Sequence, residues 1–87
     1  MQSTEYSYKI RECGAAALLS YVVAPDGREI VAGRCMATTV DDQWAVALTD
    51  GRGGSASAVA LDRADALALL DFHAGLLVRL MSSEVSA

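Results

Sequence analysis

The C-terminal stretch "DRADALALLDFHAGLLVRLM", residues 62–81, constrains the fold more than any other part of the chain. Its apolar residues recur at helical spacing, Asp62 is a typical N-cap, and Asp65 puts negative charge in the first turn. At about 100° per residue the apolar arc covers roughly 200°, whereas packing on one core takes a stripe a little over 100° wide. We therefore expect one flank of this helix to lie on its own sheet and the other on a second polypeptide.

The preceding residues have the patterns of short strands. "EYSYKIRE" alternates with the period of a half-buried strand, while "AAALLSYVVA" is apolar on both faces and leads into the turn signal "APDG". Two more strands, "REIVAGRCMATT" and "WAVALTD", flank the polar break "VDDQ". Gly33, inside its strand, indicates a bulge or a close backbone approach.

The segment "TDGRGGSAS" has the composition of a loop, and the short apolar run "AVAL" that follows it is a possible fifth strand. The sequence therefore predicts four or five strands. The prediction is an α+β fold: an antiparallel sheet of four to five strands in meander-like hairpins, followed by one long C-terminal helix packed on one sheet face. It spans residues 1–87 as a single domain, with 82–87 as a frayed tail.

A chain of 87 residues supports only a small core, and 53% of its residues are apolar. A homodimer would cover the surplus apolar surface of the helix and of the second strand. The expected dimer interface consists of Leu67, Leu70, Ala74, Leu77, Val78 and Met81.

The chain's single histidine, His73, lies near the middle of the apolar arc. One interpretation is a neutral core or interface histidine bonded to a backbone carbonyl or hydroxyl. The alternative is a pH-sensitive contact, because two copies would meet near the midpoint of a symmetric helix pair.

The net charge of −4 argues against a general polyanion binder and favours a basic or neutral partner. The polar N-terminus has no signal-peptide pattern, and no apolar run approaches the length of a membrane span. We therefore expect a cytoplasmic protein that does not contact a membrane. In a reducing compartment Cys13 and Cys35 are expected to be small buried thiols, with a disulfide or a redox role as alternatives.

No pattern in the sequence indicates catalysis, a metal site or a cofactor. "DGRGGS" lacks the lysine of a phosphate-binding loop, and "GGSAS" around Ser55 and Ser57 lacks the second glycine of a nucleophile elbow. Asp41 and Asp42 form a tight acidic turn without further oxygen ligands. We therefore predict no catalytic residue, no cofactor and no metal site.

The first functional hypothesis is a small acidic, non-enzymatic, dimeric protein-interaction module, acting as a regulator, an inhibitor or an assembly subunit. Trp44 and Phe72 are expected partner contacts because exposed aromatic residues are enriched at such interfaces. Arg52 is the third, because mobile loops on rigid scaffolds often carry recognition and it lies in the glycine-rich loop.

The alternative is single-stranded nucleic-acid binding by the sheet face, through Lys9, Arg11, Arg28 and Arg34, with Tyr21 or Trp44 as a stacking surface. The order of strands followed by one apolar C-terminal helix resembles the PC4-type single-stranded-DNA-binding proteins. That resemblance lies in the element order and implies a dimer with a nucleic-acid-binding sheet.

Overall fold

A computed structural model describes the backbone of residues 5–86 and the side chains of residues 5–83. Five strands precede one helix: β1 Ser7–Glu12, β2 Ala17–Val23, β3 Glu29–Ala37, β4 Trp44–Thr49, β5 Ser55–Ala60 and α1 Arg63–Ser86. The strands form one antiparallel sheet in the order β1-β2-β3-β4-β5, and α1 packs on one of its faces. The predicted α+β meander with a C-terminal helix is confirmed, and the alternative with five strands is the correct one.

Turn residues set the hairpins as the sequence indicates. In "APDG" Gly27 has φ 92°, and the Ala24 amide donates to the Arg28 carbonyl across the turn. In the β4–β5 loop, Asp50 Oδ1 accepts the backbone N–H groups of Arg52 and Gly54 at 2.7 and 3.0 Å. These two bonds, the one from Arg52 first, hold the pKa of the Asp50 carboxyl below its usual value.

The start of α1 is capped as predicted, but its end lies further along the chain. Asp62 Oδ1 accepts the Asp65 amide at 2.8 Å, which satisfies one of the free N–H groups of the first turn. The helix continues to Ser86, so the expected tail at 82–87 begins inside the helix, and Ala87 lies outside the described residues. The polar residues after Met81 are compatible with helix once the preceding turns are held by packing.

One side of α1 packs on the sheet and forms the core. Ala66, Leu70 and Ala74 are 0% exposed and Leu77 is 4% exposed, against buried residues of β2, β3 and β4. Leu70 lies over Gly33, where an added Cβ would be 2.9 Å from Leu70 Cδ2. The pairing of β2 with β3 shifts register beside Gly33, so the predicted bulge or close approach at this glycine is confirmed.

This packing corrects the predicted dimer interface. Leu70, Ala74 and Leu77 are buried against the chain's own sheet and are not available to a second copy. Val78 and Met81 are half-buried and pack against the core cluster that includes Leu77, and Leu67 is 36% exposed. A helical wheel gives the width of an apolar arc but not which part of it meets the sheet. Half of the residues predicted for the interface belong to the part that packs on the chain's own sheet.

The two edge strands of the sheet, β1 and β5, differ in how well they are protected against pairing with another chain. On β1, Lys9, Arg11 and Glu12 carry charge, and the neighbouring Tyr8 hydroxyl donates to Asp71 of the helix at 2.7 Å. The strand β5, "SASAVA", contains no charged residue and no proline. Charge on an edge strand discourages pairing with another chain, so β1 is the guarded edge and β5 the open one.

Candidate interaction surfaces

The helix α1 leaves part of its side of the sheet uncovered. Strands lie about 4.8 Å apart and a helix with its side chains is about 10 Å across, so one helix cannot cover five strands. The helix contacts β2 and β3 most and β5 least. Trp44 and Val46 of β4 and Ala60 of β5 are buried under α1. The uncovered region is limited to Ala56 and Ala58 of β5, which are exposed, and Leu48 of β4, which is half-buried. We call this region the trough; its floor is Leu48, Ala56 and Ala58.

The wall of the trough is the flank of α1 that turns toward β5. Two shallow depressions lie along it, one of about 370 Å³ beside His73 and one of about 360 Å³ beside Leu69 and Phe72. Phe72, Leu76 and Leu80 on this flank are 67%, 40% and 61% exposed. The surplus apolar arc of the helix is therefore real, and its uncovered part faces β5.

Residues 69, 73, 76 and 80 on this flank follow one another at intervals of four, three and four. That is the spacing of the core positions in a two-stranded coiled coil. The predicted interface omits Leu69, Leu76 and Leu80, and the sequence predicts a contact between copies at His73 only as an alternative. The same alternation relates residues 67, 70, 74, 77 and 81 on the buried side, so the spacing alone does not tell which flank is uncovered.

His73 ties the helix to the end of β4. Its Nε2 lies 2.8 Å from the carbonyl oxygen of Thr49, and because a carbonyl can only accept, Nε2 carries the donated hydrogen. The imidazole is half-buried. Bonding to a backbone carbonyl is what the first interpretation of His73 expected, and a pH-sensitive contact between two copies stays a prediction.

Replacing His73 by leucine should lower the free energy of unfolding by about 1 kcal/mol, because the half-buried Thr49 carbonyl loses its donor. Urea unfolding followed by circular dichroism would measure the change. Arg79→Leu on the exposed side of the same helix is the matched control, since it also adds an apolar side chain but removes no bond to β4. Equal stability of His73→Leu and the wild type would contradict the structural role.

The opposite side of the sheet, which we call the outer face, is locally basic. Lys9, Arg11 and Arg34 point from it, with Glu29 as the acidic residue at the end of the same face. Tyr21 also belongs to this face but is only 5% exposed, because the Arg11 guanidinium lies 5.0 Å from its ring centroid and donates to its hydroxyl at 2.7 Å. Tyr21 is therefore covered and offers no free stacking surface.

Two residues of the predicted nucleic-acid face lie elsewhere. Arg28 precedes β3 and its Nε donates to the Asp26 carboxylate at 2.9 Å within the hairpin turn. Trp44 is on the helix side, 6% exposed, in the core with Leu18 and Ala60.

The burial of Trp44 also corrects its prediction as a partner contact. Every residue from Trp44 to Leu48 is apolar, so the sequence of this strand does not determine which residues face the core. The other two predicted contacts, Phe72 and Arg52, are exposed on the helix and in the β4–β5 loop.

The centre of the outer face is a shallow apolar depression of about 510 Å³. Exposed side chains on and beside it include Val31, Met36 and Val59, at 49%, 60% and 64%. Its lining includes Arg34, Met36, Ala45, Ala47, Ser57 and Val59. The depression therefore has an apolar floor with Arg34 in its lining, and Lys9 and Arg11 lie on the same face of the sheet, on β1.

The cysteines show no shared site. Cys35 is buried, and burial raises the pKa of its thiol, as expected for a small buried residue. Cys13 is exposed in the β1–β2 hairpin, so the expectation of two buried thiols is wrong for this residue. Among the described residues, no three His, Cys, Asp or Glu side chains come close enough together to hold a metal ion.

By length and composition, the segment Arg63–Ser83 of α1 is apolar enough to cross a membrane, with a mean hydropathy of 1.3 and 22% of its 18-residue window buried within the protein. The expectation that no apolar run approaches the length of a membrane span is therefore wrong by this criterion. A core helix of a soluble domain can pass the same test.

Comparisons with known proteins give no match: no family model, no curated protein and no solved structure is similar to this chain. The likeness in element order to PC4-type proteins therefore has no support beyond the order itself.

Proposed function

We propose that this chain is a small acidic, non-enzymatic protein-interaction module that works as a homodimer. The observation that supports it is the uncovered flank of α1, where Phe72 and Leu80 are more than half exposed beside the unguarded strand β5. Contiguous exposed apolar surface of this kind is typical of interaction sites on small proteins. Regulators, inhibitors and assembly subunits are the roles that such a module serves.

We assign the outer face to the second protein that the module binds. Its apolar floor, with Met36 and Val59, would contact an apolar segment, and Lys9, Arg11 and Arg34 would attract acidic side chains at the margins of that segment. Net charge led to the expectation of a basic or neutral partner. The local charge of this face favours an acidic one, because a partner responds to the surface it meets rather than to the sum over the chain.

Sedimentation of the purified protein across a range of concentrations tests the homodimer. The expected result is a species of twice the 9.1 kDa chain mass. A monomer over the whole micromolar range would contradict the proposal, because the exposed flank of α1 would then not bind a second copy of the chain.

Phe72→Ala should weaken the dimer by about tenfold or more in Kd, since loss of a buried aromatic anchor commonly costs upwards of 1 kcal/mol at an interface. The measurement is the dimer dissociation constant from sedimentation. Val31→Ala on the outer face is the control, because it also truncates an exposed apolar side chain, at 49% against 67% for Phe72, but lies away from the helix flank. An unchanged Kd for Phe72→Ala would place the interface elsewhere.

Single-stranded nucleic acid is the second candidate ligand for the outer face, and the cations Lys9, Arg11 and Arg34 are the observation that favours it. Binding of a labelled deoxythymidine oligomer should fall steeply as salt increases, and Lys9→Ala with Arg34→Ala should reduce that salt dependence. Arg28→Ala, which removes a cation already paired with Asp26, is the matched control. No binding at low salt would remove this candidate.

A further inference from the structure

Strand β5 is the last strand in the sheet formed by the described residues, so one row of its backbone groups lies along an open edge. The Asp50 amide donates to the Gly54 carbonyl where the pairing of β4 with β5 begins. Hydrogen-bonded and non-hydrogen-bonded residues alternate along an antiparallel pair, so the backbone groups of residues 56, 58 and 60 point to β4. The alternation leaves three residues of β5 whose N–H and C=O groups point out from the edge: Ser55, Ser57 and Val59.

We infer that two copies of this chain pair antiparallel through β5, with Ser57 opposite Ser57 of the second copy, so that the two sheets join into one. This rests on the proposed homodimer and specifies its geometry. In this register Ser55 lies opposite Val59 of the second copy, and every outward N–H and C=O of these three residues has a partner. A shift of two residues in either direction places Ser55 or Val59 opposite a residue outside β5 and leaves the contact shorter.

The occupant of this edge is a second copy because that pairing leaves only guarded edges on the joined sheet. The other edge strand, β1, carries Lys9, Arg11 and Glu12, and Arg63 at the start of α1 forms an ion pair with Glu12. These charges make β1 a poor partner for β5 and disfavour head-to-tail growth of the sheet. Pairing of β5 with β5 closes the assembly as a two-fold dimer with a charged β1 at each end.

The side chains that this register brings together are compatible. On the outer face Ser57 meets Ser57 and Ser55 meets Val59, while on the helix side Ala56 meets Ala58. These residues carry no charge, four of the five are serine or alanine, and all are exposed in the single chain. Two strands can therefore approach to the usual spacing without like charges opposite each other and without displacing a packed side chain.

The symmetry of the pair determines where the two candidate surfaces lie. The two-fold axis of an antiparallel pair is perpendicular to the sheet, so both copies of α1 lie on one side and both outer faces on the other. The apolar depression of the outer face extends to Ser57 and Val59, so the two depressions adjoin across the axis. Phe72 lies beside β5 with Val59 and Leu61, next to the added strand.

Ser57→Pro tests the pairing because proline has no backbone N–H to donate. The Ser57 N–H points to solvent in the single chain, so the variant should keep its fold, which circular dichroism checks. Both copies lose a hydrogen bond at the centre of the contact, so the dimer Kd from sedimentation should rise by about thirtyfold or more. Ser57→Ala is the matched control, since it removes the hydroxyl but keeps the N–H, and its Kd should stay within about threefold of the wild type.

A cysteine at the same position measures the register without removing a hydrogen bond. In a Cys13→Ser background, whose remaining Cys35 is buried, Ser57→Cys should form an intermolecular disulfide under mild oxidation. Residues opposite each other in a hydrogen-bonded pair have Cα atoms about 5.5 Å apart, which a disulfide can span. Ser55→Cys, on the same exposed face, is the matched control: the two residues 55 lie roughly 14 Å apart in the dimer, so this variant should stay reduced.

The outcomes separate this geometry from the proposed function. A dimer that Ser57→Pro leaves as tight as the wild type overturns edge pairing, and so does a Ser57→Cys variant that stays reduced; the homodimer stands in either case. A disulfide at position 55 in place of 57 also overturns the arrangement, because the copies then meet in another register. If Ser57→Pro is unfolded, the cysteine result alone decides. A monomeric wild-type protein overturns both proposals together.

Discussion

Leu70→Ala should lower the free energy of unfolding by about 3 to 4 kcal/mol, the range for truncating a fully buried leucine with incomplete collapse of the cavity. Leu70 is 0% exposed and packs on the core that includes Leu18, Cys35 and Val46. Small domains have a total stability of about 5 to 15 kcal/mol, so this loss is a large fraction of what is available. Urea unfolding at a fixed protein concentration measures it.

Leu67→Ala is the matched control for Leu70→Ala. The same atoms are removed one turn earlier on the same helix, but Leu67 is 36% exposed and leaves no closed cavity. We expect a loss of about 1 kcal/mol, in proportion to the smaller apolar area returned to water. Equal losses for the two variants would mean that the core is not centred under Leu70.

Much of the fold is predictable from local pattern. The turn signal around Gly27, the Asp62 cap and the helical spacing after it depend on short-range physics that each segment carries itself. Strand β5 was the uncertain element because its six small residues, mostly exposed, have little hydrophobic periodicity. It forms because β4 offers a free edge directly across a glycine-rich loop.

The candidate surfaces are harder to predict because they depend on which side of each strand or helix faces the core and which faces solvent. The sequence predicts a partner contact at Trp44, which lies in the core, because the five apolar residues that begin β4 can face either way. It predicts an interface at Leu70 and Ala74, which are also buried, because the apolar arc of the helix is wide enough for either flank to meet the sheet. The width of the apolar arc was correct, but only the three-dimensional path of α1 toward β2 and β3 determines which flank is left uncovered.

Gly33→Val should destabilise the protein by about 2 to 3 kcal/mol, as expected for overpacking a filled core. A Cβ at this position would lie 2.9 Å from Leu70 Cδ2, 3.0 Å from Leu48 Cδ2 and 3.2 Å from the Ala47 carbonyl oxygen. The leucine methyl groups could turn aside in an open site, but Leu70 is fully enclosed. Urea unfolding measures the loss, and Ala45→Val on the exposed outer face should change stability by no more than about 0.5 kcal/mol.

Combining the two core substitutions tests whether the contact between Gly33 and Leu70 determines both effects. Leu70→Ala removes the Cδ2 atom that a valine at position 33 would meet, so the valine methyl groups can occupy the vacated space. The double variant should therefore be more stable than the sum of the single losses predicts, by about 1 kcal/mol or more. Leu70→Ala combined with Ala45→Val should be additive, because position 45 lies on the other side of the sheet. Additivity in both cycles would show that the strain caused by a valine at position 33 comes from Leu48 and the Ala47 carbonyl. It would also show that the absence of a side chain at Gly33 does not determine how closely α1 approaches the sheet.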